Sequence, residues 1–142
     1  MPTSSSTNFN SQFEYRGWRL RGLFTQGHIG DAAVLSADPD ISGPISSRIW
    51  GAYGEVGYNI LPLFLPETSA SVEPFFRYEA FNTQADVPTG FTADGTKDIT
   101  VTTFGLNYKP IPQVVIKADF RFFDSAGGKL PDEFNLGVGF IF

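Results

Sequence analysis

The sequence predicts an all-β protein: an antiparallel transmembrane β-barrel, with about seven meandering strands in this chain of 142 residues. Three observations predict it. Large apolar residues recur at every second position in stretch after stretch. Connections between the stretches alternate between short and long. Aromatic residues collect at the expected strand ends. Side chains alternate faces along a strand, so each stretch carries an apolar stripe on one face and mostly small or polar side chains on the other.

The first strand is expected over about Asn8–Tyr15, with Phe9, Phe13 and Tyr15 on one face. Arg16-Gly17 makes a two-residue turn. The second strand runs from Trp18 to about Gln26, with Trp18, Leu20, Gly22 and Phe24 opposite Arg19 and Arg21. The third covers about Arg48–Ile60, where Trp50, Ala52, Val56, Tyr58 and Ile60 oppose Tyr53, Glu55 and Asn59. The fourth, about Ala70–Phe81, sets Val72, Phe76, Tyr78 and Ala80 against Glu73, Arg77 and Glu79. Pro74 has no N–H to give a ladder, so a bulge or local break is expected there. The fifth, about Ile99–Lys109, sets Phe104, Leu106 and Tyr108 against Thr103, Asn107 and Lys109. The sixth, about Val114–Phe123, sets Ile116, Ala118, Phe120 and Phe122 against Lys117, Asp119 and Arg121. The last strand is the terminal run, with Phe134, Leu136, Val138, Phe140 and Phe142 on one face and Asn135, Gly137, Gly139 and Ile141 between them.

Arg16-Gly17 and Pro110–Gln113 are short connections, and Leu61–Ser69 is intermediate. Gly27–Ser47, Asn82–Asp98 and Asp124–Asp132 are long and rich in Gly, Pro, Asp, Ser and Thr. Outer-membrane barrels have short periplasmic turns and long extracellular loops. That parity places Tyr15, Trp18, Tyr58, Tyr108 and Phe142 at the periplasmic ends and Trp50, Phe122 and Phe134 at the outer ends. At about 3.3 Å per residue and roughly 40° of tilt, Trp50 to Tyr58 covers about 20 Å, near the height of an apolar band.

Composition agrees. Phe and Gly contribute 15 residues each, which suits a lipid-coated sheet better than a packed helical core. No run of about 18 apolar residues exists, which excludes a transmembrane helix but not a barrel. The absence of cysteine rules out disulfides and cysteine-based zinc sites. A net charge of −5 argues against wrapping nucleic acid. Met1–Asn8 lacks the basic and apolar regions of an export signal. Residues 1–7 are therefore expected to be a disordered N-terminal segment and residues 8–142 the C-terminal strands of a barrel. An odd strand number and the missing signal suggest part of a longer chain, because bacterial single-chain barrels have even strand numbers.

Charges opposite the apolar stripes would line the interior: Glu14, Arg19, Arg21, Glu55, Glu73, Arg77, Glu79, Lys109, Lys117, Asp119 and Arg121. Inward charges need water or partners. Arg19, Arg21, Glu55, Arg77, Glu79, Lys117, Asp119 and Arg121 are the expected pore-lining set. Their mixed signs give no obvious ion filter, and pairing that stiffens the wall competes with a basic ladder for anions. Catalysis has little support: His28, placed in an outer loop, has no nucleophile pattern beside it. Asp86, Asp94 and Asp98, like Asp31, Asp38 and Asp40, lack a calcium-loop spacing. No metal or cofactor is expected.

The runs Phe76–Glu79, Phe104–Asp119 and Asn135–Phe142 resemble the C-terminal third of bacterial porins, and are similar to the phosphate-selective porin group and its uncharacterised relatives. The Tyr108-Lys-Pro-Ile-Pro112 turn is the more specific part; a terminal aromatic marks only the barrel class. The resemblance implies passive diffusion of small hydrophilic solutes or ions through a pore of roughly 16 or 18 strands in the outer membrane. It implies no phosphate selectivity for this segment. It also implies that Phe134, Leu136, Val138, Phe140 and Phe142 form a signal for the barrel-assembly machinery, and that the pore is a homotrimer. Two alternatives stay open. One is a small closed, non-conducting outer-membrane barrel with an adhesive or structural role, and Gly27–Ser47 as its binding surface. The other is a soluble β-sandwich, which the aromatic strand ends argue against.

Overall fold

The computed structural model describes residues 4–30, 46–87, 92 and 94–142. Among these the chain forms one open antiparallel sheet of eight strands with no α-helix. The strands are β1 (Ser4–Tyr15), β2 (Trp18–Ile29), β3 (Arg48–Tyr58), β4 (Ser71–Asp86), β5 (Asp98–Lys109), β6 (Val114–Ser125), β7 (Gly128–Lys129) and β8 (Glu133–Phe140). Each strand pairs with the next from β1 to β6. Both β7 and β8 then lie along the free edge of β6, at different heights.

The turns follow from local chemistry. Arg16 and Gly17 both take positive φ, 48° and 86°, the mirror-image turn whose twist matches a hairpin. The β3–β4 connection contains a short 3-10 turn, Leu61–Leu63. At Pro74 the break is one-sided. The β4–β5 ladder runs through Pro74 opposite Leu106 without a shift. The β3–β4 ladder stops at Gly57 opposite Phe75. Beyond it, the Asn59 carboxamide oxygen accepts the Val72 N–H at 3.2 Å and the Ile60 N–H donates to the Val72 carbonyl at 2.9 Å. The register shift lies elsewhere, between Arg48 and Trp50.

Several strands are longer than their apolar alternation. β1 begins at Ser4, so Ser4–Thr7, expected to be disordered, pair with Gln26–Ile29. Backbone hydrogen bonds need no apolar side chains, and these residues lie beside an already formed strand. For the same reason β2 reaches Ile29, which places His28 in a strand, opposite Ser5 and Arg48, rather than in a loop. The expected long connection Asp124–Asp132 is mostly hairpin: Ser125 pairs with Gly128 across a tight turn. The ladder is interrupted at Pro131, and the Asp132 carboxylate accepts the Phe123 N–H at 3.3 Å. That extension moves Phe134 away from the outer rim, opposite Phe120 in the middle of the sheet. Phe142 lies beyond the end of β8.

No second layer covers either face among the described residues. Even so, Glu55, Thr103 and Asn107 are buried while Phe104, Phe120 and Phe134 are more than half exposed. The sheet curls so that its polar face is concave. That face encloses a hollow of about 750 Å³.

Candidate functional site

The register sets whole rows of side chains across the sheet. One row on the convex face reads Phe13, Leu20, Val56, Phe76, Phe104, Phe120, Phe134. Phe76 meets Phe104 at 5.1 Å between ring centroids, and Phe120 meets Phe134 at 4.8 Å. Shifted by one residue on every strand, the concave row reads Gln12, Arg21, Glu55, Arg77, Thr103, Arg121, Glu133. Three arginines alternate with acceptors across the sheet.

The charges are tied into two groups. Glu55 is the centre of the first: its carboxylate accepts from Arg19 and, at 2.7 Å, from Arg77. Arg19 also reaches Glu73, its Nε donating at 3.0 Å. The Asn107 amide donates to Glu73 at 3.1 Å. Two gaps in the next row make room for this. The row reads Glu14, Arg19, Gly57, Phe75, Gly105, Asp119, Asn135. A Cβ on Gly57 would lie 3.0 Å from the Glu73 carboxyl carbon, and one on Gly105 only 2.3 Å from the Phe75 ring. Glycine at these two places lets Glu73 reach across and lets the Phe75 ring occupy the space that a side chain at position 105 would fill. Arg77 also stacks over the Tyr53 ring at 4.7 Å and stands 3.8 Å from Glu79. The second group is Asp119, which accepts from Arg121 Nε at 3.2 Å and from the Asn135 amide at 3.1 Å.

Of the expected pore-lining residues, Arg19, Arg21, Glu55, Arg77, Lys117, Asp119 and Arg121 all line the hollow; Glu79 stands one row above it. Arg21 and Lys117 have no ion pair among the described residues. The hollow is lined by seven basic and four acidic side chains, although the whole chain carries −5. Its polarity is therefore opposite to the chain's net charge. Among the described residues, three polar atoms in it, Arg21 Nε, Thr103 Oγ1 and Asn107 Oδ1, are buried without a hydrogen-bond partner.

Sequence reasoning missed the upper concave face. There Leu23, Val101 and Phe123 join Tyr53 and Glu79, both already expected inward, in the row above the arginines, with Phe81 and Ile99 above that. The same alternation that placed Arg21 and Arg121 inward also places Leu23 and Phe123 inward, and would have found them.

Elsewhere, Asp94 caps the short 3-10 turn Gly95–Lys97, and the Thr96 hydroxyl and backbone N–H hold its carboxyl below the usual range. Asp86 pairs with Arg48 at 2.9 Å. No group of three potential metal ligands occurs among the described residues, and Asp31, Asp38 and Asp40 lie outside them. No described helix is long and apolar enough to cross a membrane, which says nothing of strands.

No family model and no solved structure matches the chain. A protein of Aquifex aeolicus (strain VF5), described as uncharacterised, is 28% identical over 137 residues. The match covers 92% of this chain and 31% of that protein, so the chain spans about a third of the length of the relative it matches.

Proposed function

We propose that this chain forms part of the wall of a water-filled β-barrel pore in a bacterial outer membrane, passing small hydrophilic solutes or ions by passive diffusion without catalysing a reaction. Inverted burial is the observation that carries this reading. Phe104 is 53% exposed on one face while its chain neighbour Thr103 is 3% exposed on the other. Water-soluble proteins arrange these residue types the other way round. Lipid against the convex face and water in the hollow account for both faces at once. Because sheet edges are not tolerated in lipid, further strands complete the barrel in this proposal. The exposed stripe Phe134, Leu136, Val138, Phe140 on the edge strand suits a segment that assembly machinery handles before closure. A homotrimer remains part of the proposal on resemblance alone.

The alternative, a small closed barrel that does not conduct, draws on the knot of Arg19, Glu55, Glu73 and Arg77, which could fill a narrow interior. The two readings part in planar bilayers. With the full-length protein, neutralising Arg77, Lys117 and Arg121 to Gln should move the reversal potential modestly toward cations, because lining charges set the potential that a permeating ion meets. An inserted protein that carries no current would remove the pore and leave the packed barrel.

A further inference from the structure

The three connections at the Arg16-Gly17 end of the sheet are unequal. Two are short, residues 16–17 and 110–113, while the one between β3 and β4 spans residues 59–70. From Leu61 to Pro66 it reads Leu-Pro-Leu-Phe-Leu-Pro, an unbroken apolar run. Leu63, Phe64 and Leu65 are each more than half exposed, and Phe64 reaches 74%. None of the three lines the hollow. Contiguous large apolar side chains on a turn mark a contact surface, whereas single exposed ones need no explanation.

The backbone of the same turn is already satisfied. The Ile60 N–H donates to the Val72 carbonyl at 2.9 Å, and the Leu61 N–H to the Asn59 carboxamide oxygen at 3.3 Å. The Leu63 N–H donates to the Ile60 carbonyl at 3.1 Å. Those of Phe64 and Leu65 both donate to the Leu61 carbonyl, at 3.0 and 2.8 Å. Pro62 and Pro66 have no N–H. Every N–H from Ile60 to Pro66 is therefore absent or bonded within the turn and the strands that carry it. Water makes no such demand on a turn, but an apolar medium does. Aromatic residues of the convex face flank the turn. Trp18 stands opposite Tyr58 at the end of β3, and Tyr108 opposite Val72 at the start of β4. Trp and Tyr are the residues enriched where a membrane meets water.

We propose that the Leu61–Pro66 turn is a lipid anchor, with Leu63, Phe64 and Leu65 inserted at the boundary between phospholipid headgroups and acyl chains. The leaflet is the one on the side of the short turns, periplasmic in the proposed function. The proposal rests on the barrel reading, because lipid must surround the convex face, but it does not need the barrel to conduct. Glu67, Thr68 and Ser69 follow directly, so insertion is shallow and the carboxylate stays in water. Phospholipid fits this turn better than a protein partner, which would find no free N–H to pair with between Ile60 and Pro66. The anchor holds the joined ends of β3 and β4 at a fixed depth.

The test uses full-length protein in vesicles of phosphatidylethanolamine and phosphatidylglycerol, with any cysteine elsewhere in it replaced by serine. Phe64→Cys, Glu67→Cys and, on the convex face, Leu106→Cys each carry a polarity-sensitive fluorophore. Two quenchers are compared: phospholipid bearing a nitroxide on its acyl chain, and iodide on both sides of the membrane. The label at 64 should lose most of its emission to the nitroxide lipid and little to iodide, and the label at 67 should do the reverse. Adding Leu63→Ser and Leu65→Ser should return the label at 64 to iodide. If it stays in lipid without them, the label and not the turn is the anchor, and the proposal falls. Equal iodide quenching at 64 and 67, with 106 still quenched by lipid, would overturn the anchor and leave the barrel standing. Shielding of 64 from both quenchers would overturn it too, and would assign the turn to protein, another copy or another part of the chain. Absence of lipid quenching at 106 would overturn the membrane reading, and this proposal with it.

Discussion

Two rows of side chains, one residue apart on every strand, have opposite chemistry. The convex row from Phe13 to Phe134 is wholly apolar and mostly exposed, whereas the concave row from Gln12 to Glu133 is wholly polar and holds the buried Glu55 and Thr103. A slip of one residue in any strand would exchange the two rows there, so register and function are fixed by the same alternation. The comparison also separates two kinds of stabilisation. In the proposed reading the convex row gains from lipid outside the protein. The concave face pairs most of its charges internally, through Glu55, Glu73 and Asp119, and leaves Arg21 Nε and Thr103 Oγ1 without a partner among the described residues.

The largest effect should come from the centre of the concave row. Glu55→Ala leaves Arg19 and Arg77 facing each other without their shared carboxylate. Breaking a buried pair from one side typically costs about 3–5 kcal/mol. Denaturant titration of the protein folded into lipid vesicles measures this, with Glu79→Gln as comparison, since Glu79 is only 3.8 Å from Arg77. Equal costs would mean that water, not the knot, satisfies the arginines.

On the convex face, Leu106→Arg places a charge where lipid is expected and should cost about 2–4 kcal/mol near the midplane. Lys117→Gln, on the other face, has no ion pair to lose among the described residues and should be far milder. Similar losses at both positions would break the distinction between the faces.

A smaller steric effect is expected at Gly105. The new methyl of Gly105→Ala meets the Phe75 ring and should cost about 1–3 kcal/mol. Phe75→Leu in the same chain should recover much of it, and a double-mutant cycle reads the coupling. Smallest of all is the rim. Arg48 and Asp86 are both about half exposed, so Asp86→Asn should cost at most about 1 kcal/mol.

Much of the sheet was legible because period-two alternation is a backbone property that each stretch displays alone. The inward placement of Arg21, Glu55, Arg77 and Arg121 follows from it. Strand ends were less legible. Ser4–Thr7 and Gly27–Ile29 have no apolar stripe, and only the partner strand holds them in the ladder. Pairing geometry was not legible either. Glu55 serving both Arg19 and Arg77, and Phe75 lying on Gly105, depend on which residues stand opposite across strands. The apolar part of the upper concave face was readable but hidden by attention to charge.

The central claim is that the convex face meets lipid and the concave face meets water. The chain has no cysteine, so single cysteines can be placed without interference. The direct measurement introduces them one at a time from Lys117 to Phe122 on β6 in the full-length protein, in intact outer membranes, and follows labelling by a charged thiol reagent that does not enter lipid. Positions 117, 119 and 121 should label readily and positions 118, 120 and 122 should resist, a period of two. Labelling of 118, 120 and 122 as fast as their neighbours, in protein that remains membrane-inserted, would contradict the account.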